Sequence, residues 1–145
     1  MNPAKNLAII EKYEDFSNYI YLVLQNVPRK HGVIKEKLIH LVFEQVELFY
    51  KAIKSNQKAR LYEADANLAS IRFYLRFFAS ENRKLISQKQ HQTASIKLAE
   101  VGKMLNRMFL ASWSGHLRSA DSWNLVKFIN KENELWKIRM QLISH

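Results

Sequence analysis

Lys58 to Ser80 reads KARLYEADANLASIRFYLRFFAS, and within it Leu61, Ala64, Leu68, Ile71, Leu75 and Phe78 recur at alternating spacings of three and four. That spacing is the apolar seam of a helix packed along its whole length. At 1.5 Å per residue the 23 positions span about 35 Å, the height of a tall bundle helix. Tyr62, Phe73 and Phe77 lie off the seam, so this helix is aromatic on more sides than one core covers. Arg72, Arg76 and Arg83 follow at i, i+4 and i+11, which on a continuous helix puts three guanidinium groups on one face. The plain interpretation is two buried faces and a solvated charge stripe. The sharper one is a core, a subunit contact and an anion-facing strip on the same helix.

Three further seams surround this one. Ile9, Tyr13, Phe16, Ile20, Val23 and Val27 repeat at 4-3-4-3-4, giving a first helix from about Ala4 to Asn26 that Pro28 stops. The connector Val27–Gly32 is short and basic, and Gly32 is the residue there able to adopt a positive φ. A second helix over about Val33 to Ser55 carries two adjacent seams, Ile39-Val42-Val46-Phe49-Ile53 and Ile34-Leu38-Leu41-Leu48-Ala52, the latter interrupted by Gln45. After a polar stretch from Glu81 to Gln92, Ala94, Leu98, Val101, Leu105 and Met108 define a fourth helix, with Gly102 inside it as a candidate close approach. Four long amphipathic helices with short links predict an all-α, up-down-up-down four-helix bundle over residues 1–111. Residues 112–145 form a Trp-rich extension, with a further helix expected from Asp121 to about Ile143.

Composition narrows the class. Aliphatic and aromatic residues make up 48% of the 145, and only three Gly and two Pro interrupt them, a balance of long helices and not of strands with frequent turns. Without a cysteine there is no disulfide and no thiolate metal site. The longest uncharged run, Phe16 to Pro28, is 13 residues and carries Ser, Asn and Gln, too short and polar for a membrane span. Leu7-Ala8-Ile9-Ile10 runs straight into Glu11-Lys12, which is not a signal-peptide core. The expectation is a cytoplasmic protein with no membrane association.

Charge gives the chain a direction. The formal charge is +10, with six basic and six acidic side chains in residues 1–50 but twelve basic and four acidic in residues 51–107. A neutral half beside a strongly basic half favours a polyanionic partner. In the expected topology Arg29, Lys30, His31, Arg83, Lys84 and Lys89 gather at one end, and Lys51, Lys54, Lys58, Arg60, Lys103 and Arg107 at the other. No base-reading motif accompanies them, so contacts would be to phosphate and shape. For Arg72, pairing with Asp65 stands level with a phosphate contact.

An ordered series of blocks then resembles a known family. Val27-Pro28-Arg29-Lys30-His31-Gly32, Gln45-Val46-Glu47-Leu48-Phe49, Lys54-Ser55-Asn56-Gln57, Leu61-Tyr62, Ala64-Asp65-Ala66, Arg72-Phe73 and Leu75-Arg76-Phe77 look like the accessory variability determinant of diversity-generating retroelements. Weaker similarity continues through Ile96–Met104, so the resemblance covers roughly residues 5 to 110 and ends before the Trp-rich extension. It implies a basic four-helix bundle assembled as a pentamer. Its partners would be the element's reverse transcriptase and the template RNA, as structured RNA or an RNA/DNA hybrid, in support of mutagenic cDNA synthesis. Binding would fall to Arg29, Lys30, His31, Lys51, Lys54, Lys58, Arg60, Arg72, Arg76, Arg83 and Arg107, and the subunit contact to Tyr62, Phe73 and Phe77. The family is similar in fold to bundle proteins encoded in ribosomal RNA intervening sequences, which supply the alternative function.

Catalysis has little to stand on. A di-iron bundle site needs paired Glu-x-x-His motifs, whereas no Glu here has a His three residues later, and His31, His40, His91, His116 and His145 fall on separate segments. No glycine-rich phosphate loop accompanies a lysine. The sequence therefore predicts a non-enzyme with neither metal nor cofactor. A peripheral membrane role for the basic amphipathic segments is the third class, disfavoured by the regular 4-3 seams.

Overall fold

The computed structural model describes residues 3–55, 57–114, 131 and 134–141. Four long helices account for most of them: α1 (Pro3–Leu24), α2 (Gly32–Lys54), α3 (Lys58–Ala79) and α4 (Gln88–Ser114), with a 3-10 turn at Arg29–His31. Residues 131 and 134–141 are helical too, and no strand occurs among the described residues. The protein is all-α. The first half of the expected C-terminal helix, through residue 130, lies outside the described residues.

The predicted seams of α1, α3 and α4 point inward. All six seam positions of α1 and its end, all six of α3 and all five of α4 are buried in one shared cluster. Helix α1 packs on α2 and α4, and α3 packs on α2 and α4. Tyr13 sits where α1 meets α2, its ring 5.4 Å from that of Phe49 and its hydroxyl donating to the Val42 carbonyl. Burial pushes the phenol's pKa far above its ordinary value, so it is a neutral donor at any physiological pH.

Helix α2 differs from its expected pattern. Its buried set is Leu38, Leu41, Val42, Gln45, Phe49 and Ala52, so the face runs between the two predicted seams and centres on the residue that seemed to interrupt one. Gln45 is fully buried. Its amide nitrogen donates to the Ala64 carbonyl at 2.9 Å, and Asn67 Nδ2 donates to Gln45 Oε1 at 2.7 Å and to the Leu41 carbonyl at 3.0 Å. A buried amide is tolerated because its polar atoms are matched, and this set fixes the register of α2 against α3.

The connectors also depart from expectation. Gly32 has φ −59° and is the first residue of α2; the corner is made instead by Pro28 in an extended conformation and the 3-10 turn behind it. The left-handed residue is Lys84, φ 48°, inside the turn after α3. There the Leu85 and Ile86 amides both donate to the Phe78 carbonyl, at 2.8 and 3.2 Å, folding the chain back so that Ile86 enters the core. Gln88 Nε2 caps the end of α3 through the Ala79 carbonyl at 2.7 Å. Helix α4 starts earlier than its seam alone indicates, because Ser87 and Gln90 form a capping box. Ser87 Oγ accepts from the Gln90 amide at 3.0 Å, and Gln90 Oε1 accepts from the Ser87 amide at 2.9 Å.

Candidate nucleic-acid and partner interface

The candidate cations occupy three settings. Arg29, Lys30 and His31 make up the 3-10 turn, the first two exposed and His31 half-buried. Lys51 and Lys54 are exposed in the last turn of α2, while Lys58 and Arg60 open α3 half-buried. Arg60 Nη1 lies 3.5 Å from Glu63 Oε2, an exposed i,i+3 pair that leaves the guanidinium accessible and adds little stability.

The third setting is the α3–α4 surface. Arg76 is exposed on α3, whereas Arg83 is not on the helix at all, since α3 ends at Ala79. The three-guanidinium face read from the i, i+4, i+11 spacing therefore does not form. Arg83 instead lies in the turn, its guanidinium 3.6 Å from the Phe77 ring centroid and Nη1 donating to Ser80 Oγ at 3.0 Å. A cation stacked this way keeps its outer edge free for an anion. Arg107 is exposed on α4.

Arg72 is half-buried. Its guanidinium and the Trp136 indole fill the space above Gly102, where an added Cβ would stand 2.8 Å from Arg72 Nη2 and 2.8 Å from Trp136 Cζ2. Burial lowers the Arg72 pKa, Asp65 raises it, and Arg139 and Arg76 lower it further. The carboxylate partner expected for Arg72 is thus present but outnumbered by neighbouring guanidinium groups. Gly102 admits side chains from α3 and the C-terminal segment, a use that the sequence signalled only as a close approach. His91 lies close enough to Arg76 for that charge to add to burial in lowering its pKa.

The proposed contact aromatics remain partly outside the core. Tyr62 and Phe73 are 54% and 55% exposed, and Phe77 is half-buried against the core. Tyr62 packs its ring 5.1 Å from Phe109, and Phe73 stands edge-on to Tyr74 at 5.6 Å. Val33, Phe43 and Tyr50 on α2 and Tyr21 and Leu22 on α1 are exposed as well. With Ile96 on α4 and Leu135 and Ile138 on segment 134–141 also exposed, the uncovered apolar surface among the described residues is spread over all four helices and that segment.

Among the described residues no group of three His, Cys, Asp or Glu side chains is placed to hold a metal ion, and no helix is long and apolar enough to cross a membrane. What fold and surface define is an all-α protein with exposed cations on helix ends and turns and partly exposed aromatic side chains. The family model described as bAvd-like matches residues 7–111, and the chain belongs to that family, the bacterial accessory variability determinants. The resemblance drawn from the sequence blocks is thereby established, and it stops where the C-terminal extension starts. No curated protein matches the chain.

Proposed function

We propose that this chain is the non-catalytic accessory subunit of a diversity-generating retroelement, binding the element's reverse transcriptase and template RNA. The observation that carries this is the family match over residues 7–111. The charge distribution supports it: a surplus of eight cations in residues 51–107 suits a phosphate backbone, where each neutralised phosphate releases counterions. The four helices run up-down-up-down over residues 1–111, a topology favoured by Tyr13–Phe49, Gln45–Ala64 and Tyr62–Phe109 as contacts between chain-neighbouring helices and by Lys97–Asp15 between α4 and α1. The setting is the cytoplasm, where template RNA and reverse transcriptase meet.

The assembly is a homo-oligomer, and the family favours a pentamer. Exposed Tyr62, Phe73 and Phe43 supply apolar contact surface, and a head-to-tail ring buries different patches of each subunit against the next. Two measurements test the whole. Light scattering should give five times the 17.2 kDa subunit mass; a monomer at micromolar concentration refutes the assembly. Co-purification should retain the reverse transcriptase encoded by the same element, with RNA affinity falling steeply in a salt series. Absence of both interactions refutes the function.

A further inference from the structure

A groove of about 880 Å³ runs between α4 and the helical segment 134–141. One wall carries Lys103 and Arg107, the other Lys137, with Glu134 as the single carboxylate among the lining residues and Trp136 and Met140 as apolar lining. Lys103 and Lys137 have distant ion pairs, to Glu100 at 4.0 Å and Glu134 at 3.6 Å. Among the described residues no carboxylate lies within 4 Å of Arg107. The far wall lies outside residues 7–111 that match the family, so the groove belongs to this chain's own extension.

The geometry of Trp136 makes the groove a built feature. Its six-membered ring enters the notch above Gly102, and its remaining surface lines the groove. A glycine within a helix is destabilising relative to alanine; here it provides the seat that holds the second wall. That wall brings Lys137 to the groove beside Lys103 and Arg107, and Arg139 to the neighbourhood of Arg72 and Arg76. Like charges gathered around a half-buried guanidinium are relieved by an anion that lies among them.

We propose that this groove binds a single nucleic-acid strand, with its phosphates against Lys103, Arg107 and Lys137 and unpaired bases against Trp136. The inference rests on the polyanion-binding function proposed above and deepens it. Cations on both sides of an aromatic surface are what a single strand needs, since backbone and exposed base faces are engaged together. A duplex hides its base faces and would leave Trp136 unused.

Anisotropy of a labelled 20-nucleotide single strand and of a hairpin duplex, each across a salt series, tests it with the full chain. For single strands each phosphate contact adds about 0.7 to the log–log salt slope. Joint Arg107→Gln and Lys137→Gln substitution should flatten the slope by about 1.4, which near 0.15 M salt is roughly a tenfold loss of affinity. Hairpin binding should change less. Trp136→Ala should lower strand affinity, with α-helical content of the bundle retained; a rise in affinity would mean that the segment covers a site instead of building one, overturning the proposal. If the Arg107/Lys137 pair has no effect while Lys51→Gln, Lys54→Gln and Arg60→Gln together weaken RNA binding, the groove is wrong and the general function stands. If the unsubstituted protein binds neither probe in a salt-dependent way, both fall.

Discussion

Replacing Gly102 with alanine sets two effects of opposite sign against each other at one atom. Within α4 the change favours the helix by about 1 kcal/mol. For a domain of this size that raises the melting temperature by about 3–4 °C. The new Cβ would stand 2.8 Å from both Arg72 Nη2 and Trp136 Cζ2, so both side-chain ends must retreat by more than half an ångström to reach ordinary contact. Arg72 has several rotatable bonds to do this with. Trp136 has two and is carried on a helix whose seat is this notch. An indole losing about 80–100 Å² of buried surface forfeits about 2 kcal/mol, which multiplies the undocked population of segment 134–141 nearly thirtyfold. Gly102→Ala should therefore leave the bundle as stable as before, or more so, while protease cleavage in the C-terminal segment accelerates. The double variant with Trp136→Ala isolates the helix effect and should exceed Trp136→Ala alone by about 1 kcal/mol in chemical unfolding. Unchanged cleavage kinetics in Gly102→Ala would refute the seat.

Other expected outcomes come from the core and from pH. Gln45→Ala removes a fully buried side chain and its hydrogen bonds to Ala64 and Asn67, and should destabilise by about 2–4 kcal/mol in urea unfolding, with Gln45→Leu milder because it refills the space. Tyr13→Phe leaves the edge-to-face ring contact and deletes one donor to Val42; about 0.5–1.5 kcal/mol is expected by the same assay. His91, its pKa lowered by burial and by Arg76, makes the unfolded chain the better proton acceptor. Stability should be full above the unfolded value of about 6.5 and decline as pH falls through it toward the folded value. His91→Gln should flatten that decline in thermal melts between pH 7 and 5, and an unaltered profile would remove His91 as its source.

The seams of α1, α3 and α4 were legible because burial on one side leaves a 3.6-residue imprint that hydropathy alone records. Helix α2 was blurred for a physical reason: Gln45 counts as polar in a pattern, yet its partners on α3 make it a core residue. Such pairings are tertiary and leave no local signal. The turn after α3 did carry one. Ser87-Gln88-Lys89-Gln90 is a capping-box sequence, and weighing it would have placed the start of α4 correctly and removed Lys89 from the connector. Gly32 and Lys84 show the opposite case. The residue best suited to a left-handed turn does not adopt one, and a lysine does, because the turn is fixed by two amides folding onto the Phe78 carbonyl. Composition could not announce that.

The charge map was legible as a total and illegible as a surface. Spacing put Arg72, Arg76 and Arg83 on one helix face, but the end of α3 at Ala79 separates Arg83, and Phe77 takes it as a stacking partner. Arg72 has Arg139 of the C-terminal segment and Arg76 as charged neighbours, and Arg76 lies near His91 of α4. The protein thus offers two basic surfaces of different character: exposed lysines at the α2–α3 corner, and a walled groove lined by an indole. Long-range attraction follows the total charge and acts at both, whereas an aromatic face between cations favours a strand with unpaired bases over a duplex. Residues 7–111 supply the first surface; the second requires segment 134–141 as well. A chain truncated after α4 should therefore keep salt-dependent binding to both probes, measured by anisotropy, and lose its preference for the single strand. Retention of that preference would move the discriminating site back onto the four helices.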